Sequence, residues 1–64
     1  MTAAFKTAKT MTAREYIESQ GITRKSLYVE ITDAFIDWMR ERGEELSFER
    51  ERDRADRFFN SYAE

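Results

Sequence analysis

The sequence predicts a small all-α protein of three to four helices, and three observations lead to that prediction. The 64 residues contain no proline and only two glycines, whereas good helix formers such as Ala, Glu, Arg, Met and Leu are frequent. Apolar residues recur at helical spacing from about Arg24 onward. A chain of this length forms one domain with a marginal core, so we treat residues 1–64 as a single domain for which self-association is expected.

The chain begins with an arm and a short helix. Residues 1–11 contain two lysines, no acidic residue and little apolar content besides Phe5, and we interpret them as a flexible or weakly helical arm. A first helix is predicted from about Ala13 to Gln20, because Thr12 and Glu15 occupy the two positions of a capping box. Gly21 then favours the left-handed conformation that ends a helix.

The residues after the first helix are typical of a turn that leads into a second helix, with Thr23 as its N-cap. They read Gly21-Ile22-Thr23, followed by Ser26-Leu27-Tyr28 and an apolar Ile31. This order resembles the turn and recognition helix of bacterial helix-turn-helix regulators of the tetracycline-repressor (TetR) and Fis-like groups. The resemblance covers residues 13–31. It departs from the pattern at Ile17, where the first helix of such a unit usually has a small residue.

The resemblance implies a helix-turn-helix in the N-terminal half, with the second helix in the major groove of DNA. The residues expected to face phosphates or base edges are Arg14, Thr23, Arg24, Lys25, Ser26, Tyr28, Val29 and Thr32. The net charge of −2 does not exclude this function, because it is unevenly distributed: residues 1–26 carry a net charge of +3 and residues 27–64 a net charge of −5.

From about Arg24 to Arg42 the periodicity predicts a long helix with two different faces, and a break near Thr32-Asp33 stays open. One face is acidic, which is typical of a solvated surface and also fits a surface that mimics DNA in the basic cleft of another protein. It consists of Glu30, Asp33, Asp37 and Glu41. The other face is wide and apolar, which predicts either the monomer core or a homodimer contact. The candidates for that contact are Phe35, Ile36, Trp38 and Met39.

An alternative structure for part of this segment is a strand. Residues from Ser26 to Ile31 alternate between polar and apolar side chains, as in ribbon-helix-helix repressors, which read DNA with a two-stranded ribbon. Periodicity alone does not separate this alternative from the helix.

The last helix is predicted to be amphipathic and to begin after Ser47 as its N-cap. Acidic residues and arginines alternate over residues 49–57, and their charges sum to zero. The arginines are therefore expected to pair locally and not to bind phosphate. Aromatic residues recur at helical spacing on one side of this helix. Such a stripe is more typical of a core than of a platform for base stacking.

Composition limits the classes of function. The chain has no Cys and no His, which removes disulfides, thiolate and imidazole metal ligands and the usual general base at neutral pH. We therefore expect no enzyme activity, no metal and no cofactor. No apolar run approaches the ~20 residues that span a bilayer, so we expect a cytoplasmic protein that does not bind a membrane.

The leading hypothesis is a small DNA-binding transcriptional regulator that acts as a homodimer through a helix-turn-helix. The alternative is a small helical adaptor or inhibitor, of the kind that phages and mobile elements encode. It would bind a protein partner through its apolar arc or its acidic helix face. The two hypotheses differ in whether Arg24, Lys25 and Tyr28 converge on one exposed face that is clear of Glu30 and Asp33.

Overall fold

The structure, a computed structural model, describes residues 8–63, which form three helices and no strand. The helices are α1 (Ala13–Ser19), α2 (Tyr28–Glu41) and α3 (Phe48–Tyr62). The all-α fold class is therefore confirmed. The strand alternative for residues 26–31 is wrong, because residues 28–31 of that segment form the first turn of α2.

Helix α1 has the ends that its local sequence predicts. Thr12 Oγ1 accepts a hydrogen bond from the Glu15 N–H at 3.1 Å, and Glu15 Oε1 accepts one from the Thr12 N–H at 3.0 Å. Gly21 has a φ of +82°, and the Ile22 N–H donates to the carbonyl of Ile17 at 3.3 Å. These bonds form the capping box and the glycine C-cap that satisfy the terminal backbone groups of a helix.

The connection between α1 and α2 differs from the prediction. Thr23 is not an N-cap, because α2 begins at Tyr28 and not near Arg24. The Ser26 N–H donates to the Thr23 carbonyl at 2.9 Å, and the Thr23 N–H donates to Ser26 Oγ at 3.0 Å. Ser and Thr side chains offer the backbone such local bonds as an alternative to helical ones. A closed turn therefore replaces the first turn of the predicted recognition helix.

Helix α2 is uninterrupted, so it has no break at Thr32 or Asp33. The Thr32 hydroxyl donates to the Tyr28 carbonyl at 2.9 Å, a local bond that leaves the helical ladder in place. At the helix N-terminus the Glu30 carboxylate accepts from the Leu27 N–H at 3.1 Å. This bond satisfies one of the first backbone donors and places a negative charge at the positive end of the helix dipole.

The second loop has the boundaries that the sequence predicts. Gly43 has a φ of +85° and follows the end of α2. Ser47 Oγ then accepts from the Arg50 N–H at 3.3 Å and caps α3.

Helix α2 packs against both of the other helices. Its start contacts the second half of α3, where Tyr28 meets Phe59, and its end contacts the start of α3, where Arg40 binds Glu51. The two helices are therefore antiparallel. The buried apolar residues of this core are Ala8, Ala13, Ile17, Ile31, Ala34, Phe35, Ile36, Trp38, Met39, Ala55 and Tyr62.

Stacked rings join α2 to α3. The Phe35 ring centroid lies 4.6 Å from that of Phe58, and the Phe58 centroid lies 5.1 Å from that of Tyr62. Trp38 continues the row at 5.6 Å from Phe35, and the Arg42 guanidinium covers the Trp38 ring at 4.4 Å. Aromatic pairs in this range contribute about 0.5–1.5 kcal/mol each beyond the area that they bury.

A buried carboxylate also ties α3 to α2. The Glu51 side chain is 7% exposed, and its two oxygens accept hydrogen bonds from the Arg40 guanidinium at 2.9 and 3.0 Å. This two-pronged pair lowers the pKa of Glu51 and raises that of Arg40, in each case chiefly through the hydrogen bond to the other side chain.

Replacing Glu51 with glutamine should change how stability depends on pH. The pKa of Glu51 lies below its ordinary value of 4.5, so its contribution is present above that value and is lost as the pH falls through the lowered folded-state pKa. Glu51→Gln should lower the melting temperature at neutral pH and make its decline below pH 4.5 shallower. Circular-dichroism melts over this range measure both effects, with the exposed Glu49→Gln as control. An acid profile identical to the wild type would contradict the role of the pair.

Met39→Ala should destabilise the monomer by about 2–5 kcal/mol, because it removes a fully buried side chain and leaves a cavity. Val29→Ala on the same helix should cost no more than about 0.5 kcal/mol, since Val29 is 53% exposed. Urea unfolding at low protein concentration compares the two variants. Equal costs would mean that Met39 is not a core residue of the monomer.

Candidate interaction surface

The outward side of α2 carries four exposed carboxylates. We call this surface the acidic face, and it consists of Glu30, Asp33, Asp37 and Glu41. Successive members lie three or four residues apart, so they follow one another along one side of the helix at axial steps of about 4.5–6 Å. Val29, at the N-terminal end of the same side, is also exposed.

Within residues 8–63 the acidic face has few cations close to it. Arg40 is on the same side of α2, but its guanidinium binds Glu51. Glu41 accepts a hydrogen bond from the Tyr16 hydroxyl at 3.1 Å, and this bond adds to the effect of burial in raising the pKa of Tyr16. Among residues 8–63 neither Asp33 nor Asp37 forms a salt bridge. The centre of the face is therefore charged and forms no salt bridge within the described residues, although the charge of Asp37 contributes to the raised pKa of Arg40.

The basic residues of the predicted DNA reader lie in the α1–α2 turn. Arg24 and Lys25 are exposed there, between the two residues whose side chains close the turn. The Lys25 N–H adds a third local bond, to Thr23 Oγ1 at 3.2 Å. The turn therefore places Thr23, Arg24, Lys25 and Ser26 before the first residue of α2. These residues do not lie on the side of the helix that the helix-turn-helix prediction directs into a DNA groove.

Tyr28 does not project freely from α2. Its hydroxyl donates to the Asp56 carboxylate of α3, and its ring meets Phe59 edge-on with centroids 4.8 Å apart. The hydrogen bond to Asp56 is the main cause that raises the pKa of Tyr28, and nearby Arg52 opposes it. A phosphate contact from this hydroxyl would have to replace the bond to Asp56.

Two other residues expected at DNA are placed elsewhere. Thr32 is 3% exposed, so its side chain offers no surface to a base edge. Arg14 lies at the start of α1, a helix about 10 Å long whose other end leads to the basic turn. Its guanidinium covers the ring of Tyr62 at 5.2 Å. Arg14 therefore lies at the opposite end of α1 from Arg24 and Lys25.

The residues predicted to form a homodimer contact are inside the monomer. Phe35, Ile36, Trp38 and Met39 are each at most 9% exposed, and the Trp38 indole N–H donates to the Met11 carbonyl at 3.0 Å. The dimer assignment of these residues is corrected, because α1, α3 and residues 8–11 already cover the apolar arc. Residues 1–7 of the predicted arm lie outside the described residues.

The sequence reasoning missed an exposed apolar surface. Leu27 is 67% and Phe48 is 68% exposed. Leu27 belongs to the motif that resembles a helix-turn-helix, which implies that it packs inward, and Phe48 is one of the aromatic residues of the last helix that are expected in the core. The signal that was available for Phe48 is its position directly after the N-cap Ser47. Phe48 lies on the outward side of the first turn of α3, whereas Glu51, three residues later, is buried against Arg40 of α2.

Other kinds of site are not found in the described part of the chain. Residues 8–63 enclose no pocket and contain no group of three or more side chains that could hold a metal ion. None of the three helices is both long enough and apolar enough to cross a membrane.

The chain has no significant match to a protein-family model, a curated protein or a solved structure.

Asp56→Asn should lower the pKa of Tyr28 toward its ordinary value of 10.0, because the substitution removes the carboxylate that accepts a hydrogen bond from the Tyr28 hydroxyl. The pKa values of Tyr16 and Tyr62 should stay raised, since burial and the carboxylates of Glu41 and Glu18 act on them. Ring-carbon NMR titration follows the three tyrosines separately and makes two of them internal controls. A Tyr28 titration that is unaffected by the substitution would contradict the contact with Asp56.

Proposed function

We propose that the protein is a small helical adaptor or inhibitor that binds a basic surface of a protein partner through the acidic face of α2. The observation that carries this proposal is that Asp33 and Asp37 are exposed and that neither forms a salt bridge with another described residue. A partner that brings cations to these carboxylates breaks no salt bridge among residues 8–63. Binding therefore avoids the cost of separating an existing ion pair.

The spacing of the carboxylates supports a partner with regularly placed cations. Asp33, Asp37 and Glu41 are each four residues apart, or about 6 Å along the helix axis. Lys or Arg residues at intervals of four on a partner helix have the same spacing. Val29 extends this side of α2 with an apolar residue. A mixed apolar and acidic surface favours a protein partner over small cations.

The same surface argues against insertion of α2 into a DNA groove. A helix in the major groove brings its outward side close to the phosphates on both flanks. Here that side carries Asp33 and Asp37, whose charges would be repelled by the phosphates. Glu30 is also directed back to the helix N-terminus, where a phosphate would otherwise bind backbone N–H groups.

DNA binding by the α1–α2 turn is the second candidate, and one observation favours it. Arg24 and Lys25 are exposed on a turn that is fixed by side-chain hydrogen bonds, which lowers the entropy lost on binding. In this version the turn contacts phosphates while α2 stays outside the groove. Such binding would depend strongly on salt and little on sequence.

Affinity capture with an acidic-face variant tests the first candidate. The full chain is immobilised as wild type, as Asp33→Lys with Asp37→Lys, and as a control with the same charge change at two other exposed acids, Glu45→Lys with Asp53→Lys. We expect the wild type and the control to retain a basic protein from extracts of the source cells. The acidic-face variant should retain it at least about tenfold less, because like charges now meet across the interface.

Equal retention by all three baits would contradict the proposal. A fluorescent duplex of random sequence, titrated at low salt, tests the second candidate with the same proteins. Saturable DNA binding that is lost in Arg24→Ala with Lys25→Ala, but kept in the acidic-face variant, would establish the turn as a DNA contact in place of the first function.

A further inference from the structure

An exposed cluster of aromatic and charged side chains lies across α2 and α3, and none of its members belongs to the acidic face. Phe48 is the most exposed large apolar residue of the described chain. The Arg52 guanidinium lies 5.8 Å from the Phe48 ring centroid and close enough to the Tyr28 hydroxyl to oppose the effect of Asp56 on its pKa. Half-buried Phe59 completes the cluster by its edge contact with Tyr28.

Four of these residues follow one another along one side of α3. Phe48, Arg52, Asp56 and Phe59 are spaced by four, four and three residues, which places them on neighbouring turns of the same side. Their order is apolar, positive, negative, apolar. If a second copy of this row is placed beside the first in the opposite direction, each charged residue lies opposite a residue of opposite charge and each phenylalanine lies opposite a phenylalanine. The pattern is therefore complementary to its own reverse.

Such self-complementarity is what a two-fold symmetric contact requires, because the same patch must serve on both subunits. We propose that this side of α3 is a homodimer interface, in which the α3 helices of two copies pack antiparallel. With the two-fold axis near residue 54, Arg52 opposes Asp56 of the partner subunit, and Phe48 opposes Phe59 of the partner subunit. Each contact occurs twice in the dimer.

The composition of the patch fits a protein interface. Tyr, Phe and Arg are enriched where proteins bind one another, and buried aromatic anchors account for much of the affinity. Phe48 is 68% exposed in the monomer, so association removes most of its apolar surface from water. This interface goes beyond the proposed function, since it uses α3 and leaves Asp33 and Asp37 to a different partner.

Sedimentation equilibrium over a wide concentration range tests the interface with the full chain. We expect the wild type to dimerise reversibly. Arg52→Glu alone and Asp56→Lys alone should each weaken the dimer at least about tenfold, because each creates two like-charge contacts. An equimolar mixture of the two variants should recover wild-type association, since both cross-subunit pairs are then of opposite charge. Circular dichroism confirms that each variant is folded.

Phe48→Ser provides an independent test with a matched control. It should weaken the dimer at least about tenfold and leave the monomer folded, whereas Leu27→Ser, which replaces an equally exposed apolar residue outside α3, should leave association unchanged. A wild type that stays monomeric at every concentration would overturn the proposal. So would a dimer that persists in Phe48→Ser, or a mixture of charge variants that stays as weak as its components.

Discussion

The packing of α2 against both other helices decides which side chains this protein presents to solvent. One side of α2 is covered by α3 and another by α1 and residues 8–11, so a single narrow side remains outward. That side is the acidic face. Among residues 8–63 no further element covers it, so a partner that approaches this side of α2 meets mainly carboxylates. The packing of α2 in the core thus determines which of its charged residues are exposed to solvent.

The structure also separates two kinds of charged residue. Glu51 is buried and fully paired with Arg40, so its role is to hold α3 against α2. Asp33 and Asp37 are exposed and form no salt bridge within residues 8–63, so they contribute little to the fold and are available to a partner. Surface charges of this kind add little stability and instead guide association. The proposed function depends on exposed charges of the second kind. The proposed dimer uses Arg52 and Asp56, which are also exposed, although Asp56 accepts a hydrogen bond from Tyr28.

Features that depend on neighbouring residues were predictable from the sequence. The capping box at Thr12, the glycines that end α1 and α2, and the Ser47 cap each need only a few adjacent residues. The start of α2 was not predictable in the same way. Thr23 is equally suited to cap a helix and to form a turn that side chains close. The hydrogen bond from the Thr23 N–H to Ser26 Oγ favours the turn.

Features that depend on tertiary packing were less predictable. Helical periodicity shows that Phe35, Ile36 and Met39 lie on one apolar side of α2, but it does not show whether another helix of the same monomer or a second copy covers that side. The exposure of Phe48 has the same origin, because it depends on which side of α3 packs against α2. The candidate surfaces therefore required the three-dimensional arrangement, although every residue in them was visible in the sequence.

The central claim is that the acidic face binds a basic protein surface and that α2 does not read DNA. An NMR titration of isotope-labelled protein at low ionic strength tests this claim most directly. One series adds an arginine-rich amphipathic helical peptide, and a second adds a random DNA duplex. The predicted result is saturable shifts with the peptide at outward residues of α2 from Val29 to Glu41, which disappear in Asp33→Lys with Asp37→Lys. Saturable shifts at residues 23–29 with DNA, and none on α2 with the peptide, would contradict the claim.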